Sequence, residues 1–252
     1  MSNPPIVYRE GTSVLGSRNA HSINFGNEIG HQIDINKNLF GNINLAANLS
    51  LSHRHQVDNM RSISLVDIIS MKDEDTLHYY YPFKQFYLEL NGWNFSEELY
   101  YKIGFDQYIE FVELSSSNIK KISANTIPTH WMWKLVNGSS FILYLEAQEK
   151  YEESRSKADF IMDAKNKYTN YYSSLSYSHK GKWIVTAFYD QEIKDGKANH
   201  WIGTDISYKL NTKTQISIFY GSQKGGLVCA NGICAEQPGF EDGFKVNFSS
   251  LF

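Results

Sequence analysis

From Ser22 to the end, the chain repeats one pattern over about eleven segments: residues of one parity are apolar, those of the other polar. A period of two belongs to β-strands, and a strand with a wholly apolar face must lay that face against something other than water. Gly41–His53 sets Ile43, Leu45, Ala47, Leu49 and Leu51 against Asn44, Ala46, Asn48, Ser50 and Ser52. Phe83–Trp93 sets Phe86, Leu88 and Leu90 against Gln85, Tyr87, Glu89 and Asn91, and Leu99–Phe111 sets Tyr101, Ile103 and Phe105 against Lys102, Asp106 and Glu110. Across the segments, charged residues are missing from interior positions of the apolar parity. The other parity holds Glu89, Lys102, Asp106, Glu110, Lys134, Glu146, Asp205 and Lys245. A Lys or Arg facing hydrocarbon near the bilayer midplane costs about 2–4 kcal/mol, so the segregation predicts an all-β, antiparallel transmembrane β-barrel with those charges in its lumen.

The remaining segments are Ser22–Ile35, Ile127–Val136, Ser140–Glu149, Thr169–Ser178, Lys182–Asp190, His200–Leu210, Thr214–Ser222 and Asp242–Phe252. Short turns are expected around 36–40, 94–98, 137–139, 179–181 and 211–213, with Asn137-Gly138 a strong hairpin signal because both residues tolerate positive φ. Long external loops are expected near 54–82, 112–126, 150–168, 191–199 and 223–241. Short periplasmic turns alternating with long external loops are the habit of outer-membrane barrels. Residues 22–252 are therefore read as the barrel. Residues 1–21 are read as a partial or irregular segment with room for one more strand over Ile6–Leu15, giving about twelve, unless the chain is the carboxyl-terminal part of a larger barrel.

Aromatic content is 15%, and interfacial girdles of Tyr and Trp give that excess a place. Trp93, Trp131, Trp133, Trp183 and Trp201, with Tyr79 to Tyr81, Tyr171 and Tyr208, are read as such anchors. The net charge of −3, without a long Lys/Arg cluster, argues against a nucleic-acid partner. No apolar run reaches the length of a transmembrane helix. The start, MSNPPIVYREG, lacks a basic and then apolar secretory leader, so a truncated or misassigned amino terminus is expected for a protein of the outer membrane.

The carboxyl end reads YGSQKGGLVCANGICAEQPGFEDGFKVNFSSLF from Tyr220. Through Gly225, Gly226, Cys229, Gly232, Cys234, Pro238, Gly239, Phe240 and the closing strand Gly243–Phe252, it resembles a Bacteroidota-type outer-membrane β-barrel family of unassigned function. Phe244, Val246, Phe248 and the terminal Phe252 fit a barrel-assembly signal. The resemblance implies an envelope protein that meets outer-membrane lipid and the barrel-assembly machinery.

Cys229 and Cys234, the only cysteines, suit a structural disulfide in an oxidising compartment better than a redox or metal pair, for which no C-x-x-C or H-x3-H spacing is present. No cofactor and no metal are expected. His53 and His55 read as a solvated rim pair and His130 as lumen lining. The inward acids lie among lysines of opposite sign, which suggests ion pairing and not a one-sign selectivity ring. The leading expectation is a nonenzymatic porin-like channel or envelope scaffold whose lumen side chains nearly fill, with any envelope protein partner unidentified. One alternative is a secreted carbohydrate-binding β-sandwich using exposed Trp and Tyr. Another is a barrel hydrolase built on His31, Asn27 and Ser173, which share the lipid-facing parity.

Overall fold

The computed structural model describes residues 13–18, 28–54, 83–94, 96–113, 118–156, 162–211, 213–230 and 233–250. Its strands are β1 (Glu28–Phe40), β2 (Ile43–Arg54), β3 (Phe83–Trp93), β4 (Leu99–Glu113), β5 (Asn118–Lys134), β6 (Ser140–Ser156), β7 (Met162–His179), β8 (Trp183–Lys194), β9 (Lys197–Lys209), β10 (Thr214–Gln223), β11 (Gly226–Ala230), β12 (Ile233–Gln237) and β13 (Phe240–Ser250). β1 to β10 and then β13 make one eleven-stranded antiparallel sheet in sequence order, and β11 pairs only with β12. Each strand of the large sheet overlaps one segment expected from the alternation. A sandwich needs two facing sheets, and all eleven strands here belong to one.

The sheet is inverted with respect to a water-soluble core. On the apolar parity Leu175 is 51% exposed, Ile206 42% and Val246 57%, whereas on the polar parity Asp106 is 2% exposed and Glu146 3%. The outward residues between the strand ends, among them Leu45, Leu88, Ile103, Leu145, Val185 and Ile218, form a charge-free band across neighbouring strands. Aromatic pairs edge that band at the short-turn end: Tyr101 with Trp131 at 6.3 Å between ring centroids, Phe141 with Tyr177 at 5.1 Å, and Trp183 with Tyr208 at 4.3 Å. Trp93 and Trp201 depart from the expected girdle. Both sit on the inward parity near strand ends, with Lys134 Nζ 3.8 Å above the Trp93 ring and Lys224 Nζ 5.2 Å above that of Trp201.

Strand lengths correct the expected loops. Residues 112–126, 150–168 and 191–199 are mostly strand: of these spans only 114–117 and 157–161, which lie outside the described residues, and the turn Asp195-Gly196 are not assigned to strands. β5, β6 and β7 run for 17, 17 and 18 residues, well beyond the roughly 9–11 that cross a bilayer. The outer halves of β5 and β6 carry charges on both parities, and that of β7 carries Asp163, Lys165 and Lys167 on the parity that is apolar further in, which erases the alternation that reveals a strand in sequence. Cross-strand pairing continues there because the charges compensate each other: Lys120 with Glu152 at 2.9 Å, Lys165 with Glu153 at 3.2 Å, and Lys167 with Glu149. The alternation of short and long connections is thus partly an alternation of bare turns and extended hairpins.

Two turns and the amino end also differ. The turn expected at 36–40 lies instead at Gly41-Asn42, because β1 stays paired with β2 through Asn38 and Phe40. Asn137 and Gly138 adopt φ of 64° and 72°, as the hairpin signal requires. Residues 223–241 are not simply a loop but contain the β11–β12 hairpin, whose strands flank Asn231-Gly232, a second hairpin signal. Val14–Ser17 form a short helix, α1, so the end of the segment expected as a twelfth strand is helical. The rest of that segment, residues 1–12, lies outside the described residues, as do Asn27, His55, Tyr79 to Tyr81 and Phe252. β1 and β13 run in the same direction, and among the described residues no backbone pairing joins them.

Candidate functional site: the lumen and its plug

The inward parity meets itself, and most of its polar groups satisfy one another; among the described residues Ser52 Oγ, Tyr108 Oη, His130 Nε2 and Asn170 Oδ1 are buried without a hydrogen-bond partner. Asn48 donates to Asp34 at 2.6 Å and accepts from Ser50 at 2.7 Å. Gln85 Nε2 donates to both oxygens of Asp106, at 3.0 and 3.1 Å. Glu89 accepts from the Tyr87 hydroxyl and from Asn91 Nδ2, and Lys102 Nζ lies 3.5 Å from its Oε2. A relay crosses three strands from Asn170 Nδ2 to Gln148 Oε1 at 2.9 Å and from Gln148 Nε2 to Thr126 Oγ1 at 2.9 Å. Buried polar groups are tolerated when partnered in this way.

Of the charges expected in the lumen, Glu89, Lys102, Asp106, Glu110 and Glu146 are buried there. Asp205 and Lys245 are half-buried around a cavity on the β6–β13 side. Lys134 is a correction: it is exposed at the strand end, stacked on Trp93 outside the polar network. The inward parity continues to the very end of β5, but enclosure stops before it. Phe244, Val246 and Phe248 are exposed on the outward face of the edge strand β13.

The feature that sequence reasoning missed is the segment Ser13–Arg18, held inside the sheet as a plug. Ser13 Oγ accepts from Gly16 N at 2.8 Å as a helix cap, and donates to Glu146 on β6. The same carboxylate accepts from Val14 N at 2.9 Å and from Leu15 N at 3.1 Å, so one wall residue takes up the orphan donors of the first turn. Tyr144 steadies that carboxylate with a 2.7 Å hydrogen bond. At the other end Arg18 makes a bidentate pair with Asp190 on β8, whose side chain is buried. Such fork-to-carboxylate pairs fix orientation as well as charge. Leu15 is buried beneath, and α1 also approaches β7 and β11. A four-residue helix has no periodicity to read, and the partners Glu146 and Asp190 lie more than a hundred residues away in sequence.

Beside the plug the wall carries a belt of rings. Tyr144, Tyr172, Phe188, Phe219 and Phe240 follow one another at centroid separations of 5.9, 6.2, 5.7 and 5.7 Å. Phe188 and Phe219 meet across β9 because position 203 is glycine: a Cβ there would lie 2.7 Å from Phe188 Cε1 and 2.6 Å from Phe219 Cζ. Gly203→Val should therefore force the rings apart and cost about 1–3 kcal/mol by overpacking. The check is the urea midpoint of the protein folded in lipid vesicles, and an unchanged midpoint would refute the contact. At the root of the β11–β12 hairpin, Gly225 and Gly239 stand back to back. A Cβ on either would come within 2.7 Å of the other's backbone nitrogen, which gives the glycines of the carboxyl-terminal stretch a physical reason.

The hydrolase alternative is not assembled. His31 lies on β1 and Ser173 on β7, with five strands between them in the sheet. Ser139 Oγ and His179 Nδ1 do meet, at 3.1 Å, next to Tyr177. Ser139 is buried, no carboxylate is recorded on His179 among the described residues, and the contact ties a turn to a strand end. Among the described residues no group of three His, Cys, Asp or Glu is placed to hold a metal ion. In the hairpin, Cys229 stands directly opposite Cys234 in the backbone register.

Among solved structures, OmpT (in-vitro folded), an outer membrane protein of Vibrio cholerae, is similar with a TM-score of 0.37 and 11% identity, over 88% of this chain and 87% of that one. A likeness of that strength identifies neither the fold nor the activity. No curated protein matches the chain. Residues 4–252 match a family described only as a family of unknown function, DUF6029, and the chain belongs to it.

Proposed function

We propose that this chain is an integral outer-membrane β-barrel whose lumen is shut at rest by its own amino-proximal plug, so that it serves as a closed envelope barrel and carries out no chemistry. The observation that carries this reading is the inverted burial: an apolar, charge-free outer band around a polar, hydrogen-bonded interior. In water, that band would be a large exposed apolar patch of the kind soluble monomers avoid. In lipid it is the required surface. Of the two roles anticipated for such a barrel, an open porin-like channel is disfavoured by the plug, and a scaffold is favoured. The short-turn end then faces the periplasm and the extended β5–β7 hairpins stand outside.

Hydrocarbon tolerates no open sheet edge, so the reading also requires the gap between β1 and β13 to be bridged in the membrane. An all-antiparallel closure takes an even number of strands, one more than these eleven. The hairpin supports a disulfide. In a two-residue hairpin the second pair from the turn is not hydrogen-bonded, with Cα atoms about 4.5 Å apart, within the range a disulfide spans. The resemblance of the carboxyl end to Bacteroidota-type barrels belongs to the same reading.

The test is purification and reconstitution. The protein should need detergent to stay dispersed, and in planar bilayers the wild type should pass no steady current. Steady open conductance would make it a pore, and dispersion in plain buffer would remove it from the membrane altogether.

A further inference from the structure

Between the plug and strands β6 to β10 and β13 lies a cavity of about 450 Å³, with Gly225, Gly226 and Gln237 at its hairpin side. The geometry points to this cavity as a binding site for a small, neutral, polyhydroxylated solute of mono- or disaccharide size, an inference that rests on the barrel reading and adds a ligand to it.

The argument begins with charge. Four cations and three anions line the cavity, but most are already spent on neighbours. Arg18 is paired with Asp190, Lys224 Nζ with Glu192 at 2.6 Å, and Lys150 Nζ with Glu152 at 3.1 Å. Asp205 and Lys245 remain, one of each sign. Asp205 accepts a 2.8 Å hydrogen bond from Ser207, and Lys245 has no ion-pair or hydrogen-bond partner among the described residues. A strongly charged solute of either sign would meet a like charge at Asp205 or Lys245, so the site suits a neutral one.

The second step is arrangement. Asp205 and Lys245 are both register partners of Phe219, one on each flanking strand. An apolar ring therefore separates an acceptor from a donor, at a backbone span of roughly 9–10 Å for two strand spacings. The adjacent carboxylate and ammonium of an α-amino acid lie far closer together than that. A pyranose fits better, laying its C–H face on the Phe219–Phe188 strip and turning rim hydroxyls to Asp205 and Lys245. Asn170 borders the same cavity, and its Oδ1 is buried without a protein partner once Nδ2 has gone to Gln148.

Saturation-transfer NMR on the full chain folded in detergent, with glucose and maltose as probes, tests the site. The expected result is saturable transfer from at least one sugar, with Asp205→Asn and Lys245→Met each weakening binding about tenfold through one lost hydrogen bond. Neither inorganic phosphate nor glycine betaine should compete. Absence of saturable sugar binding, wild-type affinity in both variants, or displacement by phosphate or betaine would overturn the inference. Detergent dependence is recorded on the same samples: if it persists while sugar binding fails, the barrel reading stands and only this site falls.

Discussion

Planar bilayers holding the double variant Arg18→Ala, Glu146→Gln should show steady stepwise current where the wild type is silent. Among the described residues the charged tethers of the plug are two, the helix start on Glu146 and the guanidinium on Asp190. Removing Arg18 leaves the Asp190 carboxylate, whose side chain is 3% exposed, without its counter-charge. Stranding one member of a buried pair costs about 3–5 kcal/mol, and that penalty is relieved only by letting water in. Water entry and plug release therefore favour each other. Arg18→Ala alone should flicker, since Glu146 still holds the first turn, and Arg18→Lys should stay mostly shut because it keeps the charge and loses only the fork. If the double variant folds, by its mobility on a cold detergent gel, yet remains silent, the plug is not what closes the lumen.

The other large effect is expected from Leu175→Arg. Leu175 lies on the outward face of β7, between Leu143 on β6 and Ala187 on β8, and is 51% exposed. If that face were wet, the change would be an ordinary surface substitution, within about 0.5 kcal/mol of neutral. Against lipid it should cost about 2–4 kcal/mol, which lowers the folding equilibrium constant roughly 30- to 900-fold. The control is Asn247→Arg, on the inward parity of β13 beside the cavity, where the new charge has water and polar neighbours. Urea titrations in lipid vesicles should separate the two variants clearly. Equal midpoints would mean that the outward band is not in hydrocarbon.

The strand set was legible because membrane crossing imposes a strict rule on every second residue, and the rule leaves its mark even where the chain is half polar. It reads β2, β3 and the inner halves of β5 to β7 within a few residues. It fails where the constraint ends. Beyond the apolar band, Lys120-Lys121 and Glu152-Glu153 are consecutive charges whose strand pairing rests on cross-strand partners that one segment cannot reveal. The lumen charges were legible as a set, since parity places Glu89, Asp106 and Glu146 inside, but parity cannot tell which is structural. What marks Glu146 is the contact that residues 13–15 make with it. Lys134 shows the converse error, inward by parity yet exposed because the strand ends there.

The central claim is that the apolar parity faces acyl chains. Single spin labels at positions 145, 175 and 206 on the outward face, and at 148, 176 and 247 on the inward face, test it directly in a Cys229→Ser, Cys234→Ser background reconstituted in lipid. The account predicts relaxation by membrane-dissolved oxygen at the first three sites and little by a water-soluble nickel chelate, with no such preference for oxygen at the second three. Nickel reaching positions 145, 175 and 206 as freely as an unfolded control would contradict it.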